Sequence, residues 1–305
     1  RTGLTLAREC SPVIATLDFE GIILMGQFTK NLNKRVLNRG NKNGYCVICG
    51  TLGKLTKDHV PPKSCNNLND VELTALHSSI ETTQVATTSQ GGTHYKTLCE
   101  RCNRELLGCE YDPYLAQLSN EITSLVLGAK NRLITLPRKI HPFVKPQRLA
   151  RSIVGHCLAA IAIEETKSGL VSGSMNDALR SYFLDQSESF PEKLNIYFWP
   201  YPSRKQVVIK SMGKASIHNP RAHIIGHVLK FLPLGFWLVW DKPDSIRMNL
   251  MELVSNKSMK IDESHQIELD LYNIPALDFP EKPADDEYML LNSDHAVVAK
   301  QKNKI

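Results

Sequence analysis

The sequence predicts an α+β chain in two parts, the second carrying a mostly antiparallel sheet, and three observations carry that expectation. Two CxxC pairs, Cys46-Val47-Ile48-Cys49 and Cys99-Glu100-Arg101-Cys102, bracket a stretch in the first part of the chain. From Tyr111 to about Leu184 apolar residues recur at helical spacing; beyond that they fall in short runs cut by Pro, Gly and Ser. A basic connector containing Pro137, Pro142 and Pro146 interrupts the helical stretch and marks a boundary at 131–147.

Composition sets the broad class. A length of 305 residues suits two domains, and 42% apolar with 22% charged residues is ordinary for a globular chain. No run reaches the 18 or so apolar residues that a spanning helix needs. The most apolar stretch, Phe231 to Trp240, is short and holds Pro233 and Gly235, so it reads as buried strands. The expectation is a cytoplasmic protein without a membrane partner. Net charge is +6 with a pI near 8.8, so distribution matters more than the total. Between residues 25 and 66, Lys30, Lys34, Arg35, Arg39, Lys42, Lys54, Lys57 and Lys63 face Asp58 alone. Such a surplus is either a solvated surface or a footprint for nucleic acid. The acidic counterweight, for example Asp285, Asp286 and Glu287, lies far along the chain. The first residue is Arg, and Met25 opens a segment that reads as a natural start, so the residues before it are expected to be dispensable.

Of eight cysteines, Cys10, Cys65, Cys109 and Cys157 are scattered, whereas the other four form the CxxC pairs. Without the ordered regions of a secretory signal, paired CxxC turns point to metal rather than disulfides. Zinc takes four thiolates in a tetrahedron, and each turn offers two sulfurs to one ion at about 2.3 Å. Cys46, Cys49, Cys99 and Cys102 are therefore the expected ligands of a structural zinc. With every position filled by protein, the ion is a staple and not a catalyst. The 49 residues between Cys49 and Cys99 exceed a plain hairpin, so something else is held between the two knuckles.

That intervening stretch opens with Lys54-Leu55-Thr56-Lys57-Asp58-His59-Val60-Pro61-Pro62-Lys63. Leu55 to Val60 fits a short strand stopped by the double proline. Neighbouring side chains on a strand point to opposite faces unless the strand is bent. Before the second knuckle stands Gly91-Gly92-Thr93-His94-Tyr95-Lys96-Thr97-Leu98. Asn103 follows it and opens a helix expected to end at Gly108.

This order, CxxC, then Asp-His, then a Gly-Gly turn, then Leu-Cys-x-x-Cys-Asn, resembles the four-cysteine branch of the HNH (His-Me finger, ββα-metal) endonucleases, which includes recombination endonuclease VII. The resemblance covers about residues 44–110, roughly a fifth to a quarter of the chain. It implies a metal-dependent endonuclease acting on phosphodiester bonds, with DNA favoured over RNA. His59 would be the general base, its ordinary pKa near 6.5 suiting proton abstraction. Asp58 and Asn103 would hold one divalent cation, Mg²⁺ or Mn²⁺, with positions left for water and phosphate. Where the family commonly has Asn, five residues before the second knuckle, this sequence has His94. An imidazole can donate to a carbonyl as Asn does, or it can touch phosphate or metal. Lys57, Lys63 and Arg104 are the candidate phosphate contacts. Each residue also has a plain structural use: a surface carboxylate, a hydrogen-bonded histidine, an Asn N-cap, a solvated cation. The Ser/Thr-rich insertion from Leu68 to Gln90 exceeds a compact version of the motif and reads as a substrate-facing loop.

Tyr111 to Leu127 fits a helix with Leu115, Leu118, Ile122, Leu125 and Val126 on one face. After the connector, a second apolar stripe, Leu149, Ile153, Val154, Cys157, Leu158 and Ile161, predicts a helix over about 148–166, with His156 beside it as a structural residue. Ser174 and Asp177 suit the start of a third helix ending near Leu184. Leu194–Pro200, Gln206–Met212, Ala222–Phe231, Leu234–Trp240 and Gln266–Tyr272 read as strands. His223 and His227 form HxxxH without the Glu of a zinc-peptidase pattern and are not read as a metal site. The expected organisation is an N-terminal extension and basic arm (1–43), the stapled module with its following helix (44–130), the connector (131–147), an α+β domain (148–290) and a frayed basic tail (291–305). Analogy places such proteins in mobile elements, restriction or phage defence, with a homodimer or a defence-system protein as the further partner. The rival expectation is a non-catalytic zinc module that binds nucleic acid or a protein.

Overall fold

The computed structural model describes residues 42–67, 69–76, 86–161, 163–219, 223–291 and 296–302. Expectations for the arm before residue 42, with Met25 and Cys10, lie outside these residues, as do those for Leu68, for 77–85, for Ala222 and for 303–305.

The described residues begin with a small antiparallel sheet. β1 (Asn43–Tyr45) pairs with β2 (Leu52–His59) around the first CxxC turn, with Tyr45 opposite Leu52. Two short strands follow, β3 (Val71–Ala75) and β4 (Thr87–Ser89), and then β5 (His94–Cys99), which pairs with β2 on its other side. After β5 the chain enters α1 (Arg101–Tyr111), wound in the wide i→i+5 manner, so that Asp112 N–H reaches Leu107 O. It continues without a break into α2 (Asp112–Lys130). The expected stop at Gly108 does not occur. A helical Gly costs only about 1 kcal/mol, and burial of Leu107, Tyr111 and Leu115 on either side outweighs that.

The connector is a built part of the fold. Its strands β6 (Lys139–Ile140) and β7 (Phe143–Val144) pair later in the chain, as described below. α3 (Pro146–Ala159) starts on a proline at its first turn, where a missing N–H costs nothing. All its residues are buried, not only the expected stripe, so this helix runs through the core. Leu149, Ile153, Val154 and Leu158 lie on it fully enclosed, each worth roughly 1.5–3 kcal/mol of burial. Its polar residues are drawn in with partners: Arg148 bonds Asp262 and Glu110, and Arg151 bonds Gln147 with the carbonyls of Asp185 and Glu188. A Cβ on Gly155 would stand 2.5 Å from the Phe183 ring and 2.7 Å from Leu107 Cδ2, so only glycine lets α3 lie this close to its neighbours. The helix ends short of the expected Thr166, where Ala160 leaves helical geometry at ψ 64. α4 (Ser174–Leu184) matches its expectation, and the Asp177 carboxylate accepts the Gly173 N–H at 2.9 Å to cap it.

The rest of the chain builds a large antiparallel sheet from β8 (Leu194–Pro200), β9 (Gln206–Ser216), β10 (His223–Phe231), β11 (Leu234–Trp240) and β12 (Met251–Glu252). The expected strand over 266–272 is instead two short pieces, β13 (His265–Gln266) and β14 (Leu269–Asp270), which pair with β7 and β6. β15 (Glu287–Leu291) and β16 (Ala296–Gln301) both lie along β9. The sheet order is β12-β8-β11-β10-β9-β16-β3-β4, with β15 beside the far half of β9.

Two expectations are corrected by this order. Lys300 and Gln301 are not a frayed tail: they belong to β16, where Lys300 sits opposite Glu72 and Gln301 opposite Val71. The described ends of the 68–90 insertion are not loop either, because β3 and β4 extend the large sheet through β16. Nor does the connector separate two cores. One continuous cluster runs from Cys46 and Leu98 through Leu149 and Phe183 to Phe236 and Leu269. Alternating apolar residues on β3, Val71 and Leu73, bury against Val297 and Ala299 and hold the two parts together.

Candidate active site

The four CxxC sulfurs meet. Cys46, Cys49, Cys99 and Cys102 place their ligand atoms within 4.8 Å of one another, and this is the only such group of three or more His, Cys, Asp or Glu among the described residues. Four bonds of about 2.3 Å in a tetrahedron set sulfur–sulfur edges of about 3.8 Å. Cys49 Sγ and Cys99 Sγ stand 3.6 Å apart, too far for a disulfide and right for a shared ion. The first knuckle is tied to β5 by Val47 N–H to Thr97 O and closed on itself by Gly50 N–H to Cys46 O. Hydrogen bonding with Cys102 holds the Cys46 thiol down at about 5 against its burial. Burial pushes Cys99 up to about 11, and its bond to Cys46 raises Cys102 further. Four crowded sulfurs cannot all ionise together without a cation among them, so the group can hold a metal ion such as zinc.

The β2–β5 register slips where the expected site begins: between Thr56 and Asp58 the single residue Lys57 lies opposite two residues of β5, Lys96 and Thr97, after which Asp58 faces Tyr95 and His59 faces His94. The extra residue is a bulge in β5, and a bulge changes the local twist of the pair. Beside it Asp58 and His59, adjacent in sequence, line the same cavity of about 320 Å³ with Lys57, Pro62, Lys63, Asn103, Arg104 and Asp112. His59 Nε2 stands 3.1 Å from the Gly91 carbonyl oxygen. A carbonyl only accepts, so Nε2 carries the proton and Nδ1 keeps its lone pair. Burial, reinforced by Lys63, pulls the His59 imidazole down to about 4, which keeps it neutral at pH 7.

The turn that supplies this carbonyl is fixed from behind. Gly91 and Gly92 both have positive φ, and a Cβ on Gly92 would lie 2.4 Å from Asn67 Oδ1. Asn67 donates to Pro61 O and Thr93 O and accepts from Thr93 N–H, joining the end of β2 to the start of β5. Gln206 of β9 donates to the same Asn67 oxygen and accepts from Thr93 Oγ1, which ties the large sheet to the turn. His94 is 3% exposed and stands outside the cavity wall. Its Nδ1–H donates to Gly92 O at 3.0 Å. Of the uses open to it in the sequence, the structure places it on a carbonyl, with its ring centroid 5.6 Å from that of His59.

Asn103 sits one residue past the Cys102 ligand, inside α1 rather than at a helix start. Its amide nitrogen donates to Thr56 Oγ1 at 2.8 Å and Lys57 O at 3.0 Å. Thr56 spends its own hydrogen on Leu98 O, so both of these partners accept. Nδ2 is thereby assigned, and Oδ1 is the atom left for a cation. Lys57 and Lys63, both exposed, and Arg104, which pairs with Glu100 at the surface, ring the opening with positive charge.

Two residues that sequence reasoning did not assign to the site meet at the cavity wall and beneath it. Asp112 opens α2, and His156 of α3, expected as a structural residue of the apolar stripe, reaches it: Nε2 is 2.9 Å from Asp112 Oδ1. On the other side of the ring, Nδ1 is 3.5 Å from Asp58 Oδ2. Burial pulls His156 down, but Asp112 and then Asp58 outweigh it and hold the imidazole up at about 10. Burial raises the Asp58 carboxyl, and His156 opposes that shift. Asp58 Oδ2 is buried without a hydrogen-bond partner.

Chemistry rather than size singles out this hollow. A larger one of about 460 Å³, against β9 and β11, has walls such as Ile224, Trp237 and Phe279. Its one carboxylate, Glu287, is neutralised by Lys214 at 2.6 Å. The HxxxH pair divides: His223 is exposed, while His227 is buried and accepts Ser211 N–H at 2.9 Å. Comparison with protein-family models, curated proteins and solved structures gives no match to this chain.

Proposed function

We propose that this chain is an HNH-type endonuclease that hydrolyses phosphodiester bonds of nucleic acid, DNA before RNA, with the help of a divalent cation. One observation carries the reading: the neighbours Asp58 and His59 and the distant Asn103 line a single cavity rimmed by Lys57, Lys63 and Arg104. The antiparallel pair β2–β5 followed by α1, with the two CxxC turns meeting where β2 begins and β5 ends, supports reading it as the ββα arrangement that the resemblance implies.

The residues fit a hard cation. Asp58 brings an unpartnered buried oxygen and Asn103 an uncommitted amide oxygen, the donor type that Mg²⁺ and Mn²⁺ prefer. When bound there, such an ion would supply stabilisation of charge on the phosphate and the leaving oxygen. Lys57, Lys63 and Arg104 bind the strand by its phosphates, which gives affinity without sequence choice. His59 takes the proton of the attacking water at Nδ1, while its Nε2–H bond to Gly91 O keeps the ring aimed. His94 steadies that turn. The cysteine site, carrying zinc, fixes Asn103 relative to β2, because Cys102 and Asn103 are neighbours.

The test is nicking of supercoiled plasmid by zinc-loaded protein with Mg²⁺ or Mn²⁺. Cleavage that stops when the added cation is withdrawn, with zinc content unchanged, is the expected result. Salt-sensitive binding with intact strands under every cation condition would instead identify a non-catalytic zinc module.

A further inference from the structure

The buried chain of Asp58, His156 and Asp112 lies directly beneath the cavity, and its members come from three separate elements, β2, α3 and α2. His156 is fully buried, Asp58 is 4% exposed, and only Asp112 shares the cavity wall with Asp58. Asp112 Oδ1 accepts two hydrogen bonds, from Ser152 Oγ at 2.7 Å and from His156 Nε2 at 2.9 Å, so its place is fixed by α3. With Nε2 anchored, the imidazole plane is set, and Nδ1 is delivered to 3.5 Å from Asp58 Oδ2. That contact is longer than a hydrogen bond, and both atoms lack another partner. The carboxylate is thus faced by a fixed ring nitrogen while its Oδ2 stays without a hydrogen bond.

We infer that His156 and Asp112 are positioning residues for the cation site: Asp112 orients His156, and His156 holds the Asp58 carboxylate where it can bind a divalent ion. This rests on the reading of Asp58 as a cation ligand. A buried carboxylate needs a polar group beside it before any cation arrives, and the His156 ring, anchored on Asp112, is the one set against Asp58. Partners of this kind orient ligands and set metal affinity, and their loss commonly costs about 10–100-fold. A wholly structural triad would leave cation affinity alone, because such clusters are weak sources of stability. The approach of α3 that Gly155 permits is what brings His156 into reach.

The experiment is Mn²⁺ binding to the zinc-loaded full chain, followed by electron paramagnetic resonance, for wild type, Asp58→Ala, His156→Gln and Asp112→Asn. Asp58→Ala abolishes the site. Asp112→Asn weakens Mn²⁺ binding about 10-fold and His156→Gln up to about 100-fold, with zinc content and the thermal transition retained. Cleavage by Asp112→Asn should regain the wild-type kcat at saturating Mn²⁺, with only the half-saturating Mn²⁺ concentration raised. Wild-type Mn²⁺ affinity in folded Asp112→Asn overturns the inference, and that variant decides alone if His156→Gln does not fold. The failure of the underlying reading looks different: there, Asp58→Ala itself keeps Mn²⁺ bound.

Discussion

Two clusters of ionisable groups flank the β2–β5 pair, and they solve opposite problems. The cysteine cluster is chemically uniform, four sulfurs gathered within 4.8 Å. It gains nothing from its own members and everything from a cation. The cluster at the cavity is mixed: an imidazole lies between two carboxylates, so each carboxylate has a polar partner before anything binds. A uniform cluster closed by protein makes a staple, whereas a mixed one with spare oxygen at an open face can take up and release an ion. The two are joined where Asn103 follows Cys102.

That contrast breaks first at the cysteines. Cys99→Ser should abolish zinc uptake and cooperative unfolding together, because structural zinc binding is worth on the order of 10 kcal/mol to a small module; calorimetry with metal analysis checks it. Removing the ion from wild type with a strong chelator should do the same. Next comes the turn that both regions lean on. Gly92→Ala drives a Cβ to 2.4 Å from Asn67 at φ +95 and should destabilise the protein by about 2–4 kcal/mol, read as a lowered urea midpoint. Asn103→Ala tests the joint itself: zinc content and thermal midpoint should hold within a few degrees while cleavage falls about 10–100-fold. The smallest effect belongs to the surface. Hydrogen bonds from Arg148 and Lys145 hold the Asp262 carboxyl well below its usual range. A folded pKa below the unfolded one gives stability that is present above about pH 4 and is lost as pH falls through the folded value. Asp262→Asn should therefore lower the melting point slightly at pH 7 and flatten its acid dependence.

The same contrast explains what the sequence could disclose. Identical residues at a fixed short spacing announce themselves, so the four-cysteine cluster was legible from the CxxC pairs alone. That Asp58, His59 and Asn103 come to one cavity was legible through their order around those pairs, although the β5 bulge opposite Lys57 was not. His156 was hidden because it rides a helix whose apolar spacing gives a sufficient account of it, and its partner Asp112 lies 44 residues away. Asn67 and Gln206, which meet across 139 residues to brace the Gly-Gly turn, have no local signature either. The large sheet was read strand by strand where runs were long, as in Leu194–Pro200 and Leu234–Trp240. Its outer half was missed because β3, β4 and β16 are short or polar, and pairing across more than 200 residues leaves no period to detect. The boundary drawn at the proline-rich connector failed for the same reason: β3 crosses it by way of β16.

The most direct trial of the account is to compare His59→Ala with wild type for nicking of supercoiled plasmid in Mn²⁺, both zinc-loaded and folded. Loss of the general base should cut the rate about 10²–10⁴-fold while DNA binding persists. Nicking by the variant at the wild-type rate would contradict it, and the cavity would then have to be read as a binding site without chemistry.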